Sequence, residues 1–168
     1  MSNSIANNIL RFVILVLAQV ALFNHINFMG YINPYPYVIF ILLFPISDKK
    51  ASFLFFSFLI GLTIDMFSNS GGMHAGASVV MAYSRPWILR SVFGVAYEYN
   101  TVKITQTSFT ERFTYITILV LIHHFVLFSL ETFNVSDILY ILRKTLFSGI
   151  FTLILSLILI TLFSAKRK

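Results

Sequence analysis

Apolar residues run through this chain in long blocks without period-2 alternation, interrupted by short polar clusters. Such blocks read as helices in lipid and not as the strands of an outer-membrane barrel, since in hydrocarbon the backbone must satisfy itself within a helix or a closed barrel. About 20 apolar residues cross a 30 Å hydrocarbon layer. On that ruler the pattern predicts helices near residues 8–29, 34–47, 50–67, 73–91, 112–133 and 138–163. The breaks have chemical causes: Gly30 with Asn33-Pro34, Asp48-Lys49-Lys50, the run from Ser68 to Gly72, the polar stretch from Glu98 to Arg112, and Asn134 to Asp137. The expected fold is an all-α integral membrane protein with six transmembrane helices, a single polytopic domain over residues 1–168.

Composition agrees with that picture. The chain is 58% hydrophobic and 11% charged, whereas a soluble domain carries roughly 25% charged residues. The N-terminal apolar run, Asn8 to Phe28, is longer than a signal-peptide core and lacks a small-x-small cleavage site, so it is expected to remain as a membrane anchor. With no cysteine, disulfides and thiolate metal sites are excluded.

The net charge of +6 does not point to nucleic acid, because the Lys and Arg residues sit at the ends of apolar blocks and not on one basic face. It reports topology. Lys49, Lys50, Arg90, Lys103, Arg112, Lys166, Arg167 and Lys168 fall on alternate ends of the predicted helices, while the three opposite connections carry none. That asymmetry places both termini in the cytoplasm of a multi-pass inner-membrane protein. The second segment is short and holds Pro34, Pro36 and Pro45. If it were a re-entrant hairpin every later basic loop would lie outside, so it reads as a true, short crossing.

Ionisable side chains inside hydrocarbon cost about 2.5–3.5 kcal/mol each near the centre of an inserted helix, so they face the bundle and find partners. Here they are Asp65, His74, Arg85, His123, His124, Arg143 and Lys144. Helix glue or snorkelling accounts for such residues as readily as a functional site does. Asp65 ends the third helix on the outer side and His74 opens the fourth just across the turn. Arg143 and Lys144 enter the sixth helix from that same side, where one of them can neutralise Asp65 or Glu131. A buried outer-leaflet polar cluster is therefore expected. His74, Ser78 and Arg85 share a helix face with the small residues Ala77 and Ala82, a face expected to pack inward. Arg85 precedes Pro86, which predicts a kink or an end to the regular helix there and a side chain that snorkels to the headgroups. His123 and His124 point about 100° apart, so only one is expected to face the bundle centre. Adjacent histidines also lack the i, i+4 spacing of a helical metal pair, which favours a hydrogen-bonded interior histidine over a metal ligand.

No Gly-rich phosphate loop, Gly-x-Ser-x-Gly elbow, His-Glu-x-x-His or intramembrane carboxylate pair occurs. The chain reads as a non-enzyme, with no cofactor called for.

The corner between the third and fourth helices runs Gly61-Leu62-Thr63-Ile64-Asp65-Met66-Phe67-Ser68-Asn69-Ser70-Gly71-Gly72-Met73-His74-Ala75. It resembles the signature of the bacterial rod shape-determining MreD family: Gly-Leu, an Asp three further on, then a glycine turn followed by His-Ala. The stretches Asn24 to Pro36 and Leu119 to Leu130 are similar to MreD of Bacteroidota-type bacteria. Many relatives have proline where this chain has Gly71, and the stretch Ser91 to Thr110, with Tyr97-Glu98-Tyr99, matches least well. The resemblance implies a scaffold of the cell-elongation machinery that binds MreC, and through it MreB, RodZ and the lateral-wall peptidoglycan synthases. It also implies a fold similar to the six-helix substrate-binding component of vitamin importers, an analogy of architecture that does not carry function. A second reading stands beside it, a substrate-capture subunit of a small-molecule importer with Asp65, His74, His124 and Arg143 lining a cavity. The small residues Gly61, Gly76, Ala77 and Gly149 suit close helix approach, within the bundle or to a partner.

Overall fold

A computed structural model describes residues 2–30, 32–46, 50–98 and 102–165. Asp48, Lys49, Tyr99, Lys166, Arg167 and Lys168, which figure in the breaks, the basic-end argument and the family comparison above, lie outside the described residues. The fold is all-helical: α1 Ser2–Ala21, α2 Val38–Leu43, α3 Lys50–Ser68, α4 Met73–Phe93, α5 Val95–Glu98, α6 Phe109–Thr132 and α7 Ile138–Ala165. Short 3-10 turns occur at Phe23–His25, Ile104–Gln106 and Val135–Asp137.

Among the described residues, four stretches are long and apolar enough to cross a membrane: Ala6–His25, Lys50–Ser68, Phe109–Thr132 and Ile138–Leu162. Their outward faces carry large apolar side chains such as Leu10, Phe55, Leu121 and Ile154, as a lipid-facing surface requires. α4 is equally long at 21 residues, but it carries His74, Arg85 and Arg90 and is too polar to qualify. It packs in the middle, between α3 and α6, and α7 closes on α6.

The second predicted helix is different in kind. Pro34 and Pro36 supply no N–H, so the chain enters extended, and only Val38–Leu43 is helical. Val-Ile-Phe-Ile-Leu-Leu is apolar on every side and Val38 through Leu42 are all buried, so this segment faces protein all round. Its course follows from its contacts. Pro34 meets Gln19 and Leu43 meets Arg11, so it runs antiparallel to α1 over eight residues of that helix, or about 12 Å. Tyr37 meets His74 and Leu42 meets Arg85, so it runs parallel to α4.

The first helix is displaced from its predicted span of 8–29. It stops at Ala21, and the chain turns through Asn27, Met29 and Gly30, all at positive φ. The Asn27 N–H donates to Asn33 Oδ1 at 2.8 Å and the Asn33 amide returns a bond to Asn27 Oδ1 at 2.9 Å, while Phe28 and Ile32 exchange backbone bonds. Locally bonded asparagines outcompete the helix here. At the other boundary a capping box between Ser108 and Glu111 starts α6 at Phe109.

Candidate functional site

Gly61 and Asp65 lie one helical turn apart on the α3 face that meets α4. A Cβ at Gly61 would lie 2.5 Å from the His74 carbonyl oxygen and 2.6 Å from Ala75 Cα, so the two helices touch backbone to backbone. That closeness brings the Asp65 carboxylate to the first turn of α4. Its Oδ1 accepts the His74 N–H at 3.0 Å and the Ser70 hydroxyl at 2.5 Å, and its Oδ2 accepts the Ala75 N–H at 2.8 Å. Asp65 thus caps α4 from the preceding helix, satisfying N–H groups that have no intrahelical acceptor and placing its charge at the positive end of the helix dipole. The connection between the helices needs three left-handed residues, Asn69 at φ 52°, Gly71 at 63° and Gly72 at 94°. Two of them are glycine, which adopts that region without steric cost.

The expected outer cluster takes a specific form. Lys144, not Arg143, pairs with an acid. Its Nζ lies 2.6 Å from Glu131 Oε1, over the rings of Phe128 and Tyr140. Arg143 is exposed. Asp65 faces backbone N–H donors at the start of α4, and among the described residues no lysine or arginine pairs with it.

Beneath the corner lies a chain of ring contacts. Tyr37 Oη sits 2.9 Å from His74 Nδ1 and 2.6 Å from His123 Nε2, all three groups buried. Both adjacent histidines are interior, with no exposed surface, where one was expected to face inward. His123 faces Tyr37 and His124 faces α7, because α6 is flanked by the second segment on one side and by α7 on the other. His124 Nδ1 lies 2.8 Å from the Val120 carbonyl, which can only accept, so Nδ1 carries the proton and Nε2 accepts the Thr152 hydroxyl at 3.0 Å. Thr152 in turn accepts the Tyr35 N–H at 2.9 Å.

The α4 face of His74, Ala77, Ser78, Ala82 and Arg85 packs inward as expected, and the departure is confined to the snorkelling of Arg85. α4 continues through Pro86 to Phe93, and Arg85 is buried, not snorkelled. Its Nε donates to Tyr115 Oη at 2.7 Å, and its Nη2 donates to the carbonyls of Leu42 at 3.2 Å and Phe44 at 2.7 Å. The reason lies in α2. A helix of six residues ends with carbonyls to which no further turn donates, and each would cost several kcal/mol if left bare in hydrocarbon. Arg85, Tyr115, Arg11 and Gln19 bond the carbonyls of Leu42, Phe44, Leu43 and Pro34. Gln19, Tyr37, Tyr115 and Thr152 were not singled out from the sequence. Their signal was a polar group set within an apolar block.

At the corner a cleft of about 250 Å³ opens between Tyr35, Ser70, His74, Leu127 and Glu131. Of Asp65, His74, His124 and Arg143, only His74 lines it. Among the described residues no three His, Asp or Glu side chains converge as metal ligands. No protein-family model, curated relative or solved structure matches the chain.

Proposed function

We propose that this membrane protein is a non-catalytic inner-membrane scaffold of the MreD type. It maintains cell shape by binding MreC and, through MreC, organises MreB, RodZ and the lateral-wall peptidoglycan synthases. In this reading six segments cross the membrane, the fifth and sixth being α6 and α7 and the second being the enclosed stretch around α2, with both termini cytoplasmic. The architecture is then akin to the substrate-binding component of vitamin importers.

The observation that carries the reading is the Gly61–Asp65–Ala75 corner. The residues on which the family resemblance rests are the same ones that build one rigid device, a close helix contact locked by a cross-helix cap. Their chemistry is positional. The Asp65 oxygens are committed to backbone N–H groups and to Ser70, and His74 Nδ1 is engaged by Tyr37, so both side chains hold the corner in place. A scaffold needs a fixed surface, and such a corner supplies one to the partner on the outer side.

The importer reading draws on the corner cleft, lined by His74 and Glu131. At about 250 Å³ it falls below the roughly 300–1,000 Å³ of typical small-molecule sites. Cell-shape complementation separates the two. Asp65→Ala should fail to support rod shape and should lose MreC association, and normal shape, abundance and MreC association in that variant would sink the scaffold reading.

A further inference from the structure

At the end of the bundle where α3 begins, a second cleft of about 40 Å³ is lined by Pro45, Lys50, Phe53, Arg85, Pro86 and Tyr97. A space of roughly 10–15 Å³ suffices for a water, so this one admits a small anion's oxygens. Arg85 is 3% exposed. Its Nε and Nη2 are taken by Tyr115, Leu42 and Phe44, and one face of the guanidinium is covered by the Phe53 ring at 5.0 Å. Nη1 is left without an acceptor among the described residues, on the side chain that lines the cleft.

Among the described residues that line this cleft, charge is of one sign. Arg85 and the exposed Lys50 are both cationic, and none of the described residues lining it is acidic. Lys50 is also the first residue of α3, so the N–H groups of that helix's opening turn, which no intrahelical carbonyl accepts from, add positive potential. A buried guanidinium with a free edge and no carboxylate among its described partners attracts an anion, and its planar fork fits a phosphoryl group best. We propose that this cleft binds a phosphoryl anion between Arg85 Nη1 and the Lys50 ammonium. Where apolar helices end, the abundant source of that group is a phospholipid headgroup, and free phosphate is the other.

The test uses the full chain purified in neutral detergent, titrated by native mass spectrometry with three probes: a short-chain phosphatidylglycerol, the diacylglycerol with the same acyl chains, and inorganic phosphate. Phosphatidylglycerol should bind and diacylglycerol should not. Arg85→Lys, which loses the fork, should weaken binding about tenfold. Because Arg85 also holds the α2 carbonyls, the decisive variant is Lys50→Gln on the exposed rim, which should weaken binding about threefold with an unchanged thermal midpoint. Binding of inorganic phosphate with the same Lys50 dependence, and no lipid, would support the site with a soluble phosphate as its occupant. Equal binding of both lipids, wild-type affinity in Lys50→Gln, or binding of neither phosphate source would overturn it.

Discussion

The Asp65 carboxylate accepts the backbone N–H of Ala75 at 2.8 Å, so the start of α4 is held by a side chain of the helix before it. Removing it in Asp65→Ala strips the acceptor from two backbone N–H groups and from Ser70. The expected loss is about 2 kcal/mol, the upper range for a cap. Asp65→Asn keeps one carbonyl acceptor and should fall between Ala and wild type in a detergent melt. Equal melts for all three would show that the cap contributes nothing.

Gly61→Ala should be more damaging than its one added methyl suggests. The new Cβ would meet backbone atoms of His74 and Ala75 at 2.5–2.7 Å, which cannot move aside as a side chain would. Overpacking of this kind costs about 3 kcal/mol. Gly71→Ala meets open space and only the strain of its positive φ, about 1 kcal/mol. Midpoints measured side by side should rank Gly61→Ala well below Gly71→Ala.

Tyr37→Phe leaves the buried His74 Nδ1 and His123 Nε2 without their shared hydroxyl. Each orphaned buried group costs about 1–3 kcal/mol. Adding His123→Phe removes one orphan, so the double variant should recover part of the loss in the same melt. A double variant no better than the single one would refute the buried ring chain.

The Glu131–Lys144 pair should matter little. The Glu131 side chain is 42% exposed, and such pairs contribute no more than about 1 kcal/mol. Lys144→Met should leave the thermal midpoint near wild type, which a melt at low and at high salt can check.

Much of the helical plan was legible, because α3, α6 and α7 are apolar blocks and the more polar α4 opens at the Gly71-Gly72 turn. The second segment was not, since periodicity cannot separate a six-residue helix wrapped in protein from a short lipid-facing one. Its enclosure becomes visible only once Arg85, Tyr115 and Gln19 are seen to bond its carbonyls. The Asp65–His74 proximity followed from the glycine turn. The cap itself did not, because it depends on the Gly61 backbone contact, a tertiary fact. The inward face of α4 was legible, Arg85 included, but its snorkelling was not to be decided from sequence: proximity to a helix end along the chain does not say whether protein or lipid lies beside it.

The most direct test of the scaffold account is detergent copurification of the tagged chain from its native membranes, followed by mass spectrometry of what remains bound. The account predicts MreC together with elongation synthases, reduced in Asp65→Ala. An ATPase module or a small ligand recovered without MreC would contradict it and favour the importer subunit.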